Sequence, residues 1–250
     1  MAITSKGSMG VGADSSSGSS YSMTTATTAL AAGNIALLVS VSDNTSTVDG
    51  DNSEITRVTD SGGNTWTKLA EYTNSPTAAV ADGVTVSIWL TRATAAVAIG
   101  GTITITFVSN RTDKCCSAWA YTVATNSTLT KATNTPVTSE VNGANDFGSS
   151  AFSGLASLQR LYLRGLGKEA NSLTDLTVSS GFTLLTLNRS RNNTNAVMVR
   201  GEFRVNTSTG ETSNPACAVS GDTAGVFVAL EEINEELPVM HGSRHALSMA

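Results

Sequence analysis

Two segments of this chain alternate apolar and polar residues with a period of two, and no other sequence feature restricts the fold as strongly. The segment VTVSIWLT at 84–91 places Val84, Val86, Ile88 and Leu90 on one side, and TITITF at 102–107 does the same with its isoleucines and phenylalanine. Successive side chains of a strand point to opposite faces, so this period is typical of a half-buried β-strand. We therefore predict strands here, with threonine on the outer face.

The rest of the chain favours the same class of structure. Only 14% of the residues are charged, against roughly 25% in an average globular protein, which disfavours solvated helices. Clusters typical of turns lie at 60–64, 99–101 and 206–210. Further strand candidates lie at 35–41, 65–71, 117–123, 158–163, 182–187, 196–205 and 224–230. We predict an all-β protein, an antiparallel β-sandwich that is jelly-roll-like, with about nine or ten strands.

The chain divides into three parts. Residues 1–21 are rich in Ser and Gly, with too little apolar surface to offset the entropy of ordering, so we expect a flexible N-terminal arm. Residues 22–232 form the predicted sandwich, in which two halves repeat the same order of strand and turn features. Residues 233–250 are expected to form a C-terminal tail that is either frayed or docked on another surface.

The three cysteines are predicted to be buried, small hydrophobic residues. Cys115 and Cys116 are adjacent, so a strand would point them to opposite faces of its sheet, and Cys217 is far away in the sequence. An odd number of thiols leaves at least one unpaired. A zinc site needs about four ligands, and the only histidines, His241 and His245, lie in the tail. We predict no metal site and no cofactor.

The sequence offers little for catalysis. It has no nucleophile elbow, phosphate-binding loop, dinucleotide fingerprint or zinc-protease motif, and its histidines lie outside the predicted scaffold. A carbohydrate-active enzyme would need two carboxylates, and the acidic residues nearest to strands are Asp60, Glu71, Glu169 and Glu202. We predict no catalytic residues, and keep a carbohydrate-binding or carbohydrate-active module as the alternative from another class.

Charge and hydropathy restrict the partners. The net charge is −5, with 15 basic and 20 acidic residues and no basic run, which argues against nucleic acid. No stretch approaches the roughly 20 apolar residues that span a bilayer, and the first residues lack a basic-then-apolar signal pattern. We expect neither a nucleic-acid nor a membrane partner. We expect the protein to assemble in a cytoplasm.

Three segments resemble β-sandwich modules of tailed-bacteriophage virions, which also occur in bacterial surface proteins. They are DSGGNTWTKL at 60–69, VSIWLTRA at 86–93 and GTITITF at 101–107, and the resemblance covers roughly residues 30–232. It implies a virion structural protein, such as a capsid decoration (cement) protein, a head fibre, or a tail or baseplate component. It carries over no catalytic residue, because the motif is a turn followed by a strand.

The expected role is a decoration protein that binds the major capsid protein or other virion proteins on the outside of a phage head. A symmetric homo-oligomer, with a trimer favoured, would suit such a role. Trp89 lies on the face opposite Ile88, where it either contacts a partner or lies under a covering loop. The candidate contact residues are Trp89, Tyr121, Leu237, Val239, Met240 and Leu247. The alternative within this class is a tail, baseplate or fibre component that contacts host glycans through Trp89 or Tyr121.

Overall fold

The computed structural model describes residues 3–78, 82–134, 136–170, 176–190 and 196–234, and in these ranges the regular structure consists of β-strands. All strand pairs are antiparallel, so the predicted all-β sandwich class is confirmed. The strands are β1 (Thr4–Asp14), β2 (Gly18–Thr24), β3 (Ile35–Asp43), β4 (Ile55–Asp60), β5 (Thr67–Asn74), β6 (Val84–Arg92), β7 (Thr102–Arg111), β8 (Lys114–Thr122), β9 (Ser127–Lys131), β10 (Val137–Asp146), β11 (Ser150–Phe152), β12 (Leu158–Ala170), β13 (Leu176–Thr177), β14 (Thr183–Leu184), β15 (Asn188–Arg189), β16 (Ala196–Ser208), β17 (Glu211–Ser213) and β18 (Ala216–Asn234).

The strands form four layers. The first outer sheet has the order β2-β7-β4, and the first central sheet has the order β1-β8-β3-β6-β5. The second central sheet has the order β10-β18-β12-β16-β14. The second outer layer contains the pair β11-β17 and the short strand β13, which pairs with the start of β18. Strands β9 and β15 extend the second central sheet by pairing with β18 and β16.

The main hydrophobic core lies between the two central sheets. It joins Val39, Val86 and Ile88 of the first sheet to Leu163 and Val226 of the second. A second cluster lies between the first central and first outer sheets, and two smaller clusters lie beneath the second outer layer. Each central sheet is therefore covered on both faces.

The two central sheets share one strand order. In that order β3 corresponds to β12, β6 to β16 and β8 to β18. Contacts across the core are reciprocal, because β3 packs on β16 while β6 packs on β12, and β8 packs on β16 while β6 packs on β18. Reciprocal contacts of this kind are those of a two-fold arrangement. The fold is thus two sandwiches joined face to face through their central sheets.

The face of β6 that carries its hydroxyl groups is buried. The prediction that this strand has one face exposed to solvent is therefore wrong. Thr85, Ser87 and Thr91 are at most 1% exposed, because the first outer sheet covers the face that alternation alone would leave in water. Their hydroxyls are used inside the protein: Thr85 bonds to Thr73 at 2.9 Å, and Thr91 donates to the carbonyl of Thr65 at 2.7 Å. The alternation correctly predicts the strand but not its second covered face.

The N-terminal segment is a strand and not the flexible arm expected from its composition. β1 pairs with β8 along its length, and Met9 is fully buried. Its glycines permit this packing: a Cβ at Gly12 would lie 2.4 Å from the Cβ of Met23, and Gly10, at a register shift, has a φ of 153°. Composition alone therefore predicted disorder where the segment is ordered. The segment is ordered because its backbone pairs with β8 and its small residues allow β2 to approach closely.

The C-terminal boundary of the sandwich also differs from the prediction. Ile233 and Asn234 continue β18 and pair with Thr128 and Ser127 of β9. The remainder of the predicted tail, 235–250, lies outside the described residues. No helix in the described part of the chain is long and apolar enough to cross a membrane.

Candidate functional site

Trp89 and Tyr121 are core residues, and their prediction as partner contacts is wrong. Trp89 is 5% exposed beneath the first outer sheet, and its indole N–H donates to Ser87 Oγ at 2.9 Å. Tyr121 is fully buried between the central sheets, with its ring edge-on to Phe203 at 5.5 Å. Neither side chain is available to a glycan or a protein partner.

The other four predicted contact residues, Leu237, Val239, Met240 and Leu247, lie outside the described residues.

The motif DSGGNTW at 60–66 forms a closed hydrogen-bonded turn. Asp60 accepts hydrogen bonds from the backbone N–H groups of Gly62 and Asn64, at 2.9 and 3.2 Å, and from the indole N–H of Trp66 at 2.8 Å. The Asn64 side chain then fixes the next loop by accepting from the backbone N–H groups of Thr94 and Ala95. These residues line a shallow cavity of about 570 Å³, but their polar atoms serve the turn itself.

Glu71 is buried at the edge of the first central sheet. Its carboxylate accepts backbone hydrogen bonds from Glu54 at 2.5 Å and Ile55 at 3.2 Å, and Lys68 lies 3.4 Å away. Burial raises the pKa of Glu71 to about 7, although the nearby Lys68 opposes this shift. The group lines a depression of about 440 Å³, and its hydrogen bonds anchor the start of β4.

Glu202 lies beneath the second outer layer, in a fully buried polar network. It accepts hydrogen bonds from the backbone N–H of Ser179 at 2.8 Å, from the Ser179 hydroxyl at 2.5 Å and from the Ser213 hydroxyl at 2.5 Å. Glu169 belongs to the opposite face of the same sheet, since Glu202 pairs with Arg164 and alternation separates residues 164 and 169. The four carboxylates singled out in the sequence thus occupy four separate environments.

An acidic cluster lies at one end of the junction between the two sandwiches. Asp82, Glu169 and Asp222 have carboxylate oxygens within 4.8 Å of one another. Glu169 accepts a hydrogen bond from the Gly83 N–H at 2.6 Å, and Asp222 accepts one from the Gly143 N–H at 2.9 Å. Burial raises the pKa of Glu169 to about 8, and repulsion from neighbouring aspartates, Asp82 and Asp222 among them, adds to this rise.

Oxygen ligands of this kind suit hard divalent cations. The sequence does not reveal this cluster, because β-sheet pairing brings Glu169 and Asp222 together and the packing of the two sandwiches adds Asp82. Glu169 is one of the carboxylates singled out near strands, and Asp82 and Asp222 each lie two residues before a predicted strand.

The predictions for the three cysteines are confirmed. Cys115 faces the core between the central sheets, whereas Cys116 faces the cluster under the first outer sheet. All three thiols, including that of Cys217, are free and buried. Burial raises the pKa of Cys115 and raises that of Cys116 to about 12, which makes these two thiols unreactive.

The outer face of the first outer sheet carries a band of hydroxyl groups. Ser20, Ser22 and Thr24 on β2 lie opposite Thr106, Thr104 and Thr102 on β7. The hydroxyls of Ser22 and Thr104 are 2.7 Å apart. We call these six residues the hydroxyl face. On the same strand β7, the exposed Val108 side chain is 62% accessible.

Comparison with known proteins adds no evidence on function. The chain matches no protein-family model, and no curated protein or solved structure matches it at a significant level. Function must therefore be argued from the fold and surface alone.

Proposed function

We propose that this chain is a virion structural protein, a capsid decoration protein on the outside of a phage head. The observation that carries the proposal is the strand order of the first sandwich, in which β1-β8-β3-β6 faces β2-β7-β4. This alternation of strands between two sheets supports the jelly-roll arrangement that we propose, an architecture found in viral capsid and lectin domains.

The use of polar groups inside the protein supports a structural role. The carboxylates of Asp60, Glu71 and Glu202 accept hydrogen bonds within a turn, at the start of a strand and in a buried network, respectively. These three carboxylates stabilise the fold, so we expect the protein to bind its partners through the shape and the exposed side chains of its surface. Recognition on a symmetric particle needs no more than such a surface, repeated by symmetry.

The hydroxyl face is the surface we propose for attachment to the major capsid protein. Its serines and threonines are short side chains that lose little conformational entropy on binding. The exposed Val108 adds apolar area beside them. Its hydroxyl groups can donate and accept hydrogen bonds across an interface, which offsets the cost of removing them from water.

Quantitative mass spectrometry of purified particles tests the role. We expect a copy number that scales with that of the major capsid protein. A few copies per particle would instead support a tail, baseplate or fibre component, and absence from particles would contradict the structural proposal.

A matched pair of variants tests the face. Ser22→Arg places a long, positively charged side chain in the middle of the hydroxyl face. Thr212→Arg places the same side chain in the middle of β17, on the opposite outer layer. We expect Ser22→Arg to reduce retention on particles at least tenfold and Thr212→Arg to leave it unchanged. Equal retention of both variants would exclude the hydroxyl face, and light scattering of the purified chain would test the proposed trimer.

The shared fold leaves a carbohydrate-binding module as the second candidate. The cavity beside Trp66, which Arg57 also lines, is the observation that favours it. Arg57→Ala should abolish any binding detected on a glycan array. An array without binding removes this candidate.

A further inference from the structure

Lys168 and Cys217 form a close pair in the second sandwich. Lys168 lies on β12 and Cys217 near the start of β18, and the Lys168 Nζ is 2.8 Å from the Cys217 Sγ. Both residues are buried, at 1% and 6% exposure. The contact joins two residues that are 49 positions apart in the chain.

The surroundings of Lys168 hold its amine against the thiol. The Nζ also donates to the backbone carbonyls of Val219 and Ala144, and it lies 5.8 Å from the centre of the Phe147 ring. These carbonyls and the ring are neutral. Among the hydrogen-bond partners of Lys168 in the described residues, the Cys217 thiol is the one acidic group.

The Lys168 amine contacts the Cys217 thiol, which in turn donates a hydrogen bond to the carbonyl of Val219 at 3.3 Å. The thiolate is the nucleophilic and oxidisable form of cysteine, and the neutral amine has a free electron pair. Contact with an amine nitrogen distinguishes Cys217 from the thiols of Cys115 and Cys116.

The Nζ and Sγ atoms are in direct contact, at 2.8 Å. This distance is too long for a direct nitrogen–sulfur bond. It is close to the distance that two single bonds span through one bridging atom.

We propose that oxidation joins Lys168 and Cys217 covalently through one bridging oxygen atom. The oxidant is molecular oxygen: one of its atoms becomes bonded to both Nζ and Sγ, and the other leaves as water. The O–O, N–H and S–H bonds break, and the two hydrogen atoms leave in the water. Nitrogen and sulfur each lose two electrons, and dioxygen accepts all four.

The bridge would fasten the first residues of β18 to the end of β12. These residues of β18 pair with β13 and with the end of β10, at the margin of the second outer layer. A covalent bond at this margin restricts local opening, in the way that a disulfide restricts the unfolded chain. Formation by dioxygen would stabilise the protein after it leaves a reducing cell interior.

Intact mass spectrometry of the full chain, purified in air without reductant, tests the proposal. We expect a species that has gained one oxygen atom and lost two hydrogen atoms, and a digest in which the peptides containing Lys168 and Cys217 are linked. Thiol reductant should reverse the mass change and lower the melting temperature. Lys168→Arg and Cys217→Ser should each abolish the linked species, whereas Cys116→Ser should retain it.

Two results would overturn the proposal. One is an unreduced wild-type chain with the mass of the free thiol and amine. The other is oxidation of Cys217 to a sulfinic acid while Lys168 stays reactive to amine-acylating reagents. Because Lys168→Arg keeps the charge and most of the length of the side chain, the test does not depend on the folding of Cys217→Ser alone.

Discussion

Arg164 and Glu202 lie directly opposite each other on β12 and β16, both fully buried, and the hydroxyl of Ser213 bridges them. Arg164 Nη1 donates to Ser213 Oγ at 3.0 Å, and Ser213 Oγ donates to Glu202 Oε1 at 2.5 Å. Burial lowers the pKa of Arg164 to about 10, while the charge of Glu202 opposes this shift. The guanidinium also donates to the carbonyls of Phe147 and Gly148, so it fastens the second outer layer to the central sheet.

Glu202→Gln should destabilise the protein by about 3–5 kcal/mol, because it leaves the buried Arg164 charge without its carboxylate. Urea denaturation measures this change in the free energy of unfolding. Glu211→Gln is the control, since Glu211 pairs with the partly exposed Arg204 and should cost at most about 1 kcal/mol. Equal small losses in both variants would show that the buried network contributes little.

Stability should decrease as the pH rises from about 5 to about 9, owing to Glu71 and Glu169. Their pKa values, about 7 and about 8 in the folded protein, exceed the ordinary 4.5, so the folded chain retains protons that the unfolded chain releases. Their contribution is complete below about pH 4.5 and is lost as the pH passes through 7 and 8. Urea midpoints measured across this range provide the test.

Glu169→Gln should remove part of this pH dependence and raise stability above about pH 8, since it removes a charge next to Asp82 and Asp222. Glu140→Gln, which alters an exposed carboxylate bonded to Tyr72, should leave the slope in place. A slope that is the same in Glu169→Gln and in the wild type would contradict the role given to the acidic cluster.

Gly165→Val should cost about 1–3 kcal/mol, because it overpacks the junction between the central sheets. A Cβ at this position would lie 3.0 Å from Val39 Cγ1 and 3.1 Å from Ile88 Cγ1, in the middle of the main core. Thermal unfolding monitored by circular dichroism measures the change. At Gly18, where the nearest atom to a Cβ would be 3.5 Å away, the same substitution should have a small effect.

Asp60→Ala should destabilise the protein by about 1–3 kcal/mol and alter tryptophan fluorescence. The substitution removes the acceptor of the Trp66 indole N–H and leaves that buried donor unsatisfied. Chemical denaturation followed by fluorescence reports both effects. Asp51→Ala removes an exposed partner of Lys68 and should cost about 0–1 kcal/mol, so a similar loss in both variants would argue against the closed turn.

Local pattern was sufficient to predict the class of the fold and several of its details. The alternation at 84–91 and 102–107 predicted β6 and β7, and adjacency predicted that Cys115 and Cys116 point to opposite faces of their sheet. These predictions succeed because side-chain alternation is a property of the strand backbone and needs no knowledge of what covers each face.

Only the tertiary structure decided which faces and residues are buried. Trp89 was assigned to the correct side of β6, yet its predicted role failed because the first outer sheet covers that side. The N-terminal segment is ordered because β8 and β2 provide its partners. Asp82 meets Glu169 and Asp222 because the two sandwiches pack on each other. Glu169 meets Asp222, and Lys168 meets Cys217, because β12 pairs with the distant strand β18. Such contacts depend on the packing of distant segments, which a period of two residues does not encode.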